Sequence, residues 1–171
     1  TSGIQSFNYR GDRWRSLPGQ VVILHPDEVH DGFCIDQSGF SYRAAYLPPA
    51  HVQAVVGVAA LPFLPQGVST YADLAGSALR LMAICTTANE PFGYEDALEQ
   101  LVSAMQRCAG GRPAKRTANR DAVMRVRAFL DSVPEAGTNL DQLENIAGYD
   151  RWQLSRDFRL LLGTSPYRYL L

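Results

Sequence analysis

Long apolar runs are missing from this 171-residue chain: no stretch of about eighteen apolar residues occurs, so no segment reads as a transmembrane helix. The N-terminus lacks the basic-then-apolar layout of a signal peptide, and the expectation is a cytoplasmic protein with no membrane partner. Cysteine is scarce as well. Cys34, Cys85 and Cys108 are odd in number, far apart and without CxxC spacing, which argues against a disulfide framework and a structural zinc site. They read instead as small core residues. Charged residues make up only 19% and nearly cancel to a net charge of -1, which excludes both a disordered acidic tail and a uniformly basic nucleic-acid coat. There is no Gly-x-Ser-x-Gly elbow, no phosphate-binding Gly-rich loop and no legible nucleophile-base pair, so no catalysis is expected. What remains is a hydrophobic content of 46%, enough for a real core in one ordinary domain or a small domain with an appendage.

Charge is unevenly placed. Residues 1–107 hold six Arg or Lys against ten Asp or Glu (net -4), whereas residues 108–171 hold ten against seven (net +3). Such asymmetry points to an anionic partner for the basic part.

The first 47 residues read as strands of a small sandwich or barrel. Residues 4–9 and a return strand from Trp14 flank Arg10-Gly11-Asp12-Arg13, where Gly-Asp suits a hairpin turn. Leu17-Pro18-Gly19 is a second turn, Val21 to Leu24 form a β-branched apolar run, and residues 40–47 are a further strand. Helical period begins at Pro48-Pro49, with a short helix over residues 50–56 ending at Gly57. Thr70 with Asp73 resembles a capping pair ahead of a stripe of Leu74, Ala78, Leu81, Met82 and Cys85; Ala97, Leu98, Leu101, Val102 and Met105 form a second stripe over residues 92–108. Two such stripes exceed what a small barrel covers, so a homodimer built on residues 70–108 is expected. Residues 109–120 carry four cationic side chains and no large apolar one, and read as a linker.

After the linker, Val123, Val126, Phe129, Leu130 and Val133 mark a helix ending at Pro134. Asn139 and Gln142 form a capping-box pattern for a helix closed by Gly148, and Asp150 caps the next helix, whose buried stripe is Leu154, Phe158, Leu161 and Leu162. Helix, a turn of about three residues with Gly at the bend, then helix is the helix-turn-helix layout. Arg151, Trp152, Ser155, Arg156 and Arg159 lie away from the stripe. Spacing alone also fits an ordinary αα-hairpin with solvated arginines.

The residues themselves carry more. Leu143, Ala147-Gly148, Asp150, Leu154-Ser155-Arg156, Phe158, Gly163, Ser165-Pro166 and Tyr169-Leu170 closely resemble the first helix-turn-helix of AraC-family transcriptional regulators. Asp150 stands where Ser is commoner, a swap between two good caps. The resemblance implies DNA contact through Arg151, Trp152, Ser155, Arg156 and Arg159. Trp152, Ser155 and Arg156 would meet base edges, and Arg151 and Arg159 would meet phosphates. The first part also resembles this family, whose ligand-sensing domain is a cupin-like β-barrel followed by dimerising helices. Gly19, His25, Asp27 and His30 resemble the second cupin motif, with His25 where Pro is usual and Asp27 where Gly is usual. Thr1 to Ile4 read as the middle of a barrel, and the chain stops one turn into the connecting helix. The expectation is therefore a partial chain without the initial strands and the second helix-turn-helix.

The competing function is a metal-dependent cupin enzyme with an appended helical module, using His25, Asp27, Glu28 and His30. Strand alternation puts His25 and Asp27 on one side and Glu28 and His30 on the other, and no His precedes His25, so neither a metal nor a cofactor is expected. His30, Trp14 and Tyr42 are the candidate ligand-binding residues, lining the barrel for an organic molecule.

Taken together, the expected architecture is α+β: a partial cupin-like β-barrel over residues 1–47, a helical dimerisation segment over 48–108, a linker over 109–120 and a small all-α helix-turn-helix module over 121–171. The expected function is sequence-specific transcriptional regulation in response to a small-molecule effector in the barrel. Double-stranded DNA and a second copy of the chain are expected partners, with RNA polymerase as a further one. The linker residues supply no apolar contact to offset the entropy of ordering them, so trypsin is expected to cut first at Arg112, Lys115 or Arg116. Mass spectrometry of the earliest fragments checks this, and a first cut within residues 1–107 or 121–171 would show the boundary to be misplaced.

Overall fold

The computed structural model describes residues 2–26, 28–34, 39–57, 61–87, 91–110, 117–133 and 138–170. Six of the linker positions, 111–116, lie outside the described residues, as do Asp27, Pro134 and the side chain of Cys34. The fold is mixed α/β, and no described helix is long and apolar enough to cross a membrane.

Strands β1 (Gln5–Tyr9) and β2 (Asp12–Ser16) form the expected hairpin, with Phe7 facing Trp14 and Tyr9 facing Asp12. The two-residue turn is Arg10-Gly11, at φ 55° and 83°, one position earlier than the Gly-Asp pair expected from sequence. Both central residues in the left-handed region match the twist that a tight hairpin needs. Strand β3 (Val21–Val22) is shorter than the apolar run that contains it, and β4 (Phe33–Cys34) adds antiparallel to β1. Residues 40–47, expected as a strand, are extended but join no ladder beyond a single bridge from Ser41 to Ser2. Among the described residues the sheets are therefore two small ones, β2-β1-β4 and β3-β5, with β5 at Val68–Ser69, and they do not close a barrel.

Phe7 and Tyr9 are fully buried under the β3-β5 pair. A Cβ on Gly67 would stand 3.0 Å from the Tyr9 ring and 3.3 Å from the Phe7 ring, so glycine is what lets the approach to β5 lie on both aromatics. The Tyr9 hydroxyl accepts from the backbone N–H of His25 at 3.3 Å, which gives its buried oxygen a partner.

Helices α1 (Pro49–Val56), α2 (Ala72–Thr86) and α3 (Pro91–Cys108) build one core. Val52 and Val55 of α1, Leu74 and Leu81 of α2, and Leu98 and Val102 of α3 meet there. Tyr71 rather than Thr70 is the N-cap of α2, and no side chain caps that end. The buried face of α2 centres on Leu74, Ser77 and Leu81, which turns Cys85 to solvent instead of into the core; Cys108 is half-buried. The stripes of α2 and α3 largely cover each other, so the surplus apolar area that motivated a dimer is much reduced, while Leu79 of α2 stays exposed.

A second core forms where α4 (Arg120–Ser132), α5 (Leu140–Ala147) and α6 (Arg151–Leu162) cross: Val126, Leu130, Leu143, Ala147, Leu154 and Phe158 are buried together. Caps fall where the residue types place them. Asn119 accepts from Ala122 N–H, Asn139 and Gln142 exchange both bonds of a capping box, and Asp150 accepts from Gln153 N–H. Gly148 ends α5 at φ 83°, a conformation in which a Cβ is strained, and this lets α6 begin after only two more residues. Buried Asp157 locks the turn from inside, accepting from the Tyr149 hydroxyl at 3.0 Å and from Asn119 N–H at 3.1 Å. Burial first, and then this bond to a carboxylate, push the Tyr149 phenol well above its ordinary value. A short α7 (Pro166–Leu170) completes the layer.

Asn139→Ala, which removes one capping-box acceptor, is expected to cost about 1 kcal/mol. Phe158→Ala, which opens a cavity in the second core, is expected to cost about 3–5 kcal/mol. Urea unfolding midpoints of the two variants check the ranking.

Candidate functional site

The five residues assigned to DNA by resemblance all sit on α6, and the structure gathers them on the face that meets α1 and α3. Arg151 is held by three carboxylates. Its backbone N–H and Nε donate to Glu144 Oε1 at 2.7 and 2.9 Å, and its guanidinium reaches Glu144 Oε2 at 2.8 Å, Asp141 at 2.7 Å and Glu95 of α3 at 3.0 Å. Glu144 and Asp141 belong to α5, so much of this contact ties α5 to α6. The hydrogen bond from Arg151 holds the Glu144 carboxyl below its ordinary value, and Glu144 in turn raises the Arg151 guanidinium. Glu95 shifts the other way, upward, because its burial outweighs the attraction of Arg151.

The remaining four point at the first core and its rim. Trp152 is half-buried against the α1–α3 cluster rather than against its own helix pair. Ser155 donates to Glu99, and Arg156 donates to the carbonyl of Val55 in the last turn of α1, where a helix presents unsatisfied oxygens. Arg159 pairs with both Asp96 and Glu99. Those two carboxylate side chains are 4% and 5% exposed, so the ion pairs stand where water is largely excluded. Gln100 at 2.6 Å and Arg168 at 3.4 Å complete the donors around Asp96.

Apolar contacts cross in the opposite direction. Phe92 at the start of α3 packs against the second core, so each core receives an aromatic ring from the other side. Beside Glu95, Trp152 and Ser155 the crevice between the two sides has a volume of about 20 Å³, room for about one water. The row Glu95, Asp96 and Glu99 was not singled out from sequence. Its signal was there, since positions i, i+1 and i+4 of one helix bring three acids to one side in the half of the chain that carries net -4.

The candidate ligand residues are not brought together. His30 lines an open cavity of about 320 Å³ at the β1-β2 turn, with Asn8, Tyr9, Arg10, Glu28 and Asp31. Its Nδ1 lies 3.0 Å from the carbonyl oxygen of Glu28, and bonds from the backbone and side chain of Asn8 hold Asp31 below its ordinary value. Trp14 stands on β2, its ring N–H donating to the Tyr9 carbonyl at 3.3 Å, and Tyr42 is exposed beside Phe40. Neither lines the cavity.

His25 is engaged elsewhere. Its Nε2 accepts from Leu64 N–H at 3.1 Å and its ring stacks on Phe63. Among the described residues no three His, Cys, Asp or Glu side chains are grouped to hold a metal ion, and Asp27 lies outside them.

No curated protein and no solved structure matches the chain. A family model does: the AraC-like ligand binding domain matches residues 1–107, a span that takes in the hairpin and all of α3 but its last residue. By that match over more than half its length, the chain belongs to the AraC-like ligand binding domain family.

Proposed function

We propose that the chain is a sequence-specific DNA-binding transcriptional regulator that responds to a small-molecule effector, and that it is not an enzyme. The observation that carries this reading is the pairing, in one chain, of a ligand-binding family match over residues 1–107 with a capped helix-Gly148-helix unit whose second helix carries Arg151, Arg156 and Arg159. A helix of this kind fits the major groove, with Arg suited to guanine edges and to phosphates. Double-stranded DNA in the cytoplasm is the partner, with RNA polymerase as a further one, and the effector belongs in the sensing part. The engagement of His25 by Leu64 and Phe63 favours a structural role for that histidine over metal chemistry.

Within this reading two residues take narrower roles. Arg151 is tied to Glu144, which favours a part in holding α6 against α5 over phosphate contact. Arg156 donates to the carbonyl of Val55, and its fork of donors suits it to a guanine edge, so base contact is assigned to it within this reading. The homodimer belongs to the same reading, now on the outer face of α2 at Leu79 rather than through the buried Leu98 and Leu101.

Selection from a random 30-base-pair duplex pool at low ionic strength tests DNA binding. A preferred sequence should emerge, and Arg156→Ala should weaken binding to it by roughly 1–3 kcal/mol while changing scrambled duplex less. Binding that is independent of both sequence and salt would refute the reading. Light scattering tests the dimer: Leu79→Asp should halve the mass of any dimer, and an unchanged dimer would remove α2 from the interface.

A further inference from the structure

We infer that α3 is a built-in competitor of DNA: Glu95, Asp96 and Glu99 occupy the groove-reading face of α6, so the arrangement described here is a closed state that must open before the chain binds a duplex. The inference rests on the DNA reading of α6 and adds what regulates it.

The geometry is that of a phosphate mimic. Asp96 and Glu99 meet Arg159, and Glu99 also meets Ser155, side chains whose other natural acceptors are phosphate oxygens and base edges, while Glu95 on the same side of the helix holds Arg151. Val55 supplies a carbonyl acceptor to Arg156, and Trp152 is sunk against the first core. Trp152, Ser155, Arg156 and Arg159 cannot reach a groove while these contacts hold, since a duplex would have to take the volume that α1 and α3 fill. The charge imbalance has the matching sign: the acidic row lies in the half with net -4 and its partners in the half with net +3.

The contacts are also of a kind that can be exchanged. Phosphates replace carboxylates charge for charge around Arg159, and Asp96 and Glu99, uncovered as α6 leaves, exchange it for water. Apparent DNA affinity is the affinity of the open form multiplied by its population. Any effector that binds the open arrangement better than the closed one therefore raises DNA affinity by the same factor that DNA raises effector affinity.

The test uses the full chain with Trp14→Phe, so that emission reports Trp152 alone. Glu95→Gln, Asp96→Asn and Glu99→Gln are combined, and the probe is the random 30-base-pair duplex pool at fixed salt. The expected result is a red shift of Trp152 emission without DNA and binding at least tenfold tighter than that of the parent. Glu95→Gln alone, at the less buried carboxylate, serves as a second variant should the triple one lose helix content. Its emission is expected to shift in the same direction, with binding tightened two- to threefold.

Three outcomes overturn the inference. Unshifted emission in both variants would show that the carboxylates do not hold α6. Shifted emission with equal duplex binding by parent and variant would show that closure does not gate DNA, leaving the DNA reading intact. Shifted emission with no duplex binding by any form would refute the DNA reading itself and the inference with it.

Discussion

The position of α6 depends on one guanidinium between two nearly buried carboxylates. Arg159 pairs with both Asp96 and Glu99, which are 4% and 5% exposed, and Gln100, Arg168 and Ser155 supply their further donors. Desolvating such ions costs several kcal/mol each, and their attraction repays that only when the partners are well placed. The placement comes from both sides. Leu98, Leu101 and Val102 fix the roll of α3 against α1 and α2, while Leu154 and Phe158 fix the roll of α6 against α4 and α5. Two independently determined helix faces are thereby committed to each other.

Arg151 does a different job about two turns earlier. Its bidentate hold on Glu144 ties α5 to α6 beside the Gly148 bend, so the angle of the helix pair is set by an ion pair and a left-handed glycine together. Its contact with Glu95 then extends that rigid unit onto α3. Farther away, the hairpin and the small β3-β5 sheet contribute by giving His25 and Leu64 fixed positions beneath the helices.

Much of the helical half was legible in the sequence because local rules decided it. Asn139, Gln142, Gly148 and Asp150 are side chains whose own chemistry fixes a helix end, and they act where they were expected. Thr70 failed as a cap because the chain enters α2 one residue later, a difference that propensity does not resolve. Residues 40–47 have a strand-like composition, but ladder formation needs a partner strand, and only Ser41 finds one. Cys85 was placed on the stripe by spacing from Leu81, whereas the face is set by what α3 offers opposite, and that centres on Ser77. Of the site, the sequence showed which five residues share a face of α6. It did not show that face to be covered, because the acids that cover it lie 56 to 63 positions earlier.

The exchanged rings, Phe92 in the second core and Trp152 against the first, bear on how the molecule melts. Neither cluster is fully filled by its own segments, so each lends the other part of its enthalpy of packing. While docked, the two halves should therefore unfold in one calorimetric transition despite the stretch of basic chain between them. Once parted, they become two smaller cooperative units, each missing an aromatic side chain, with lower and separate midpoints.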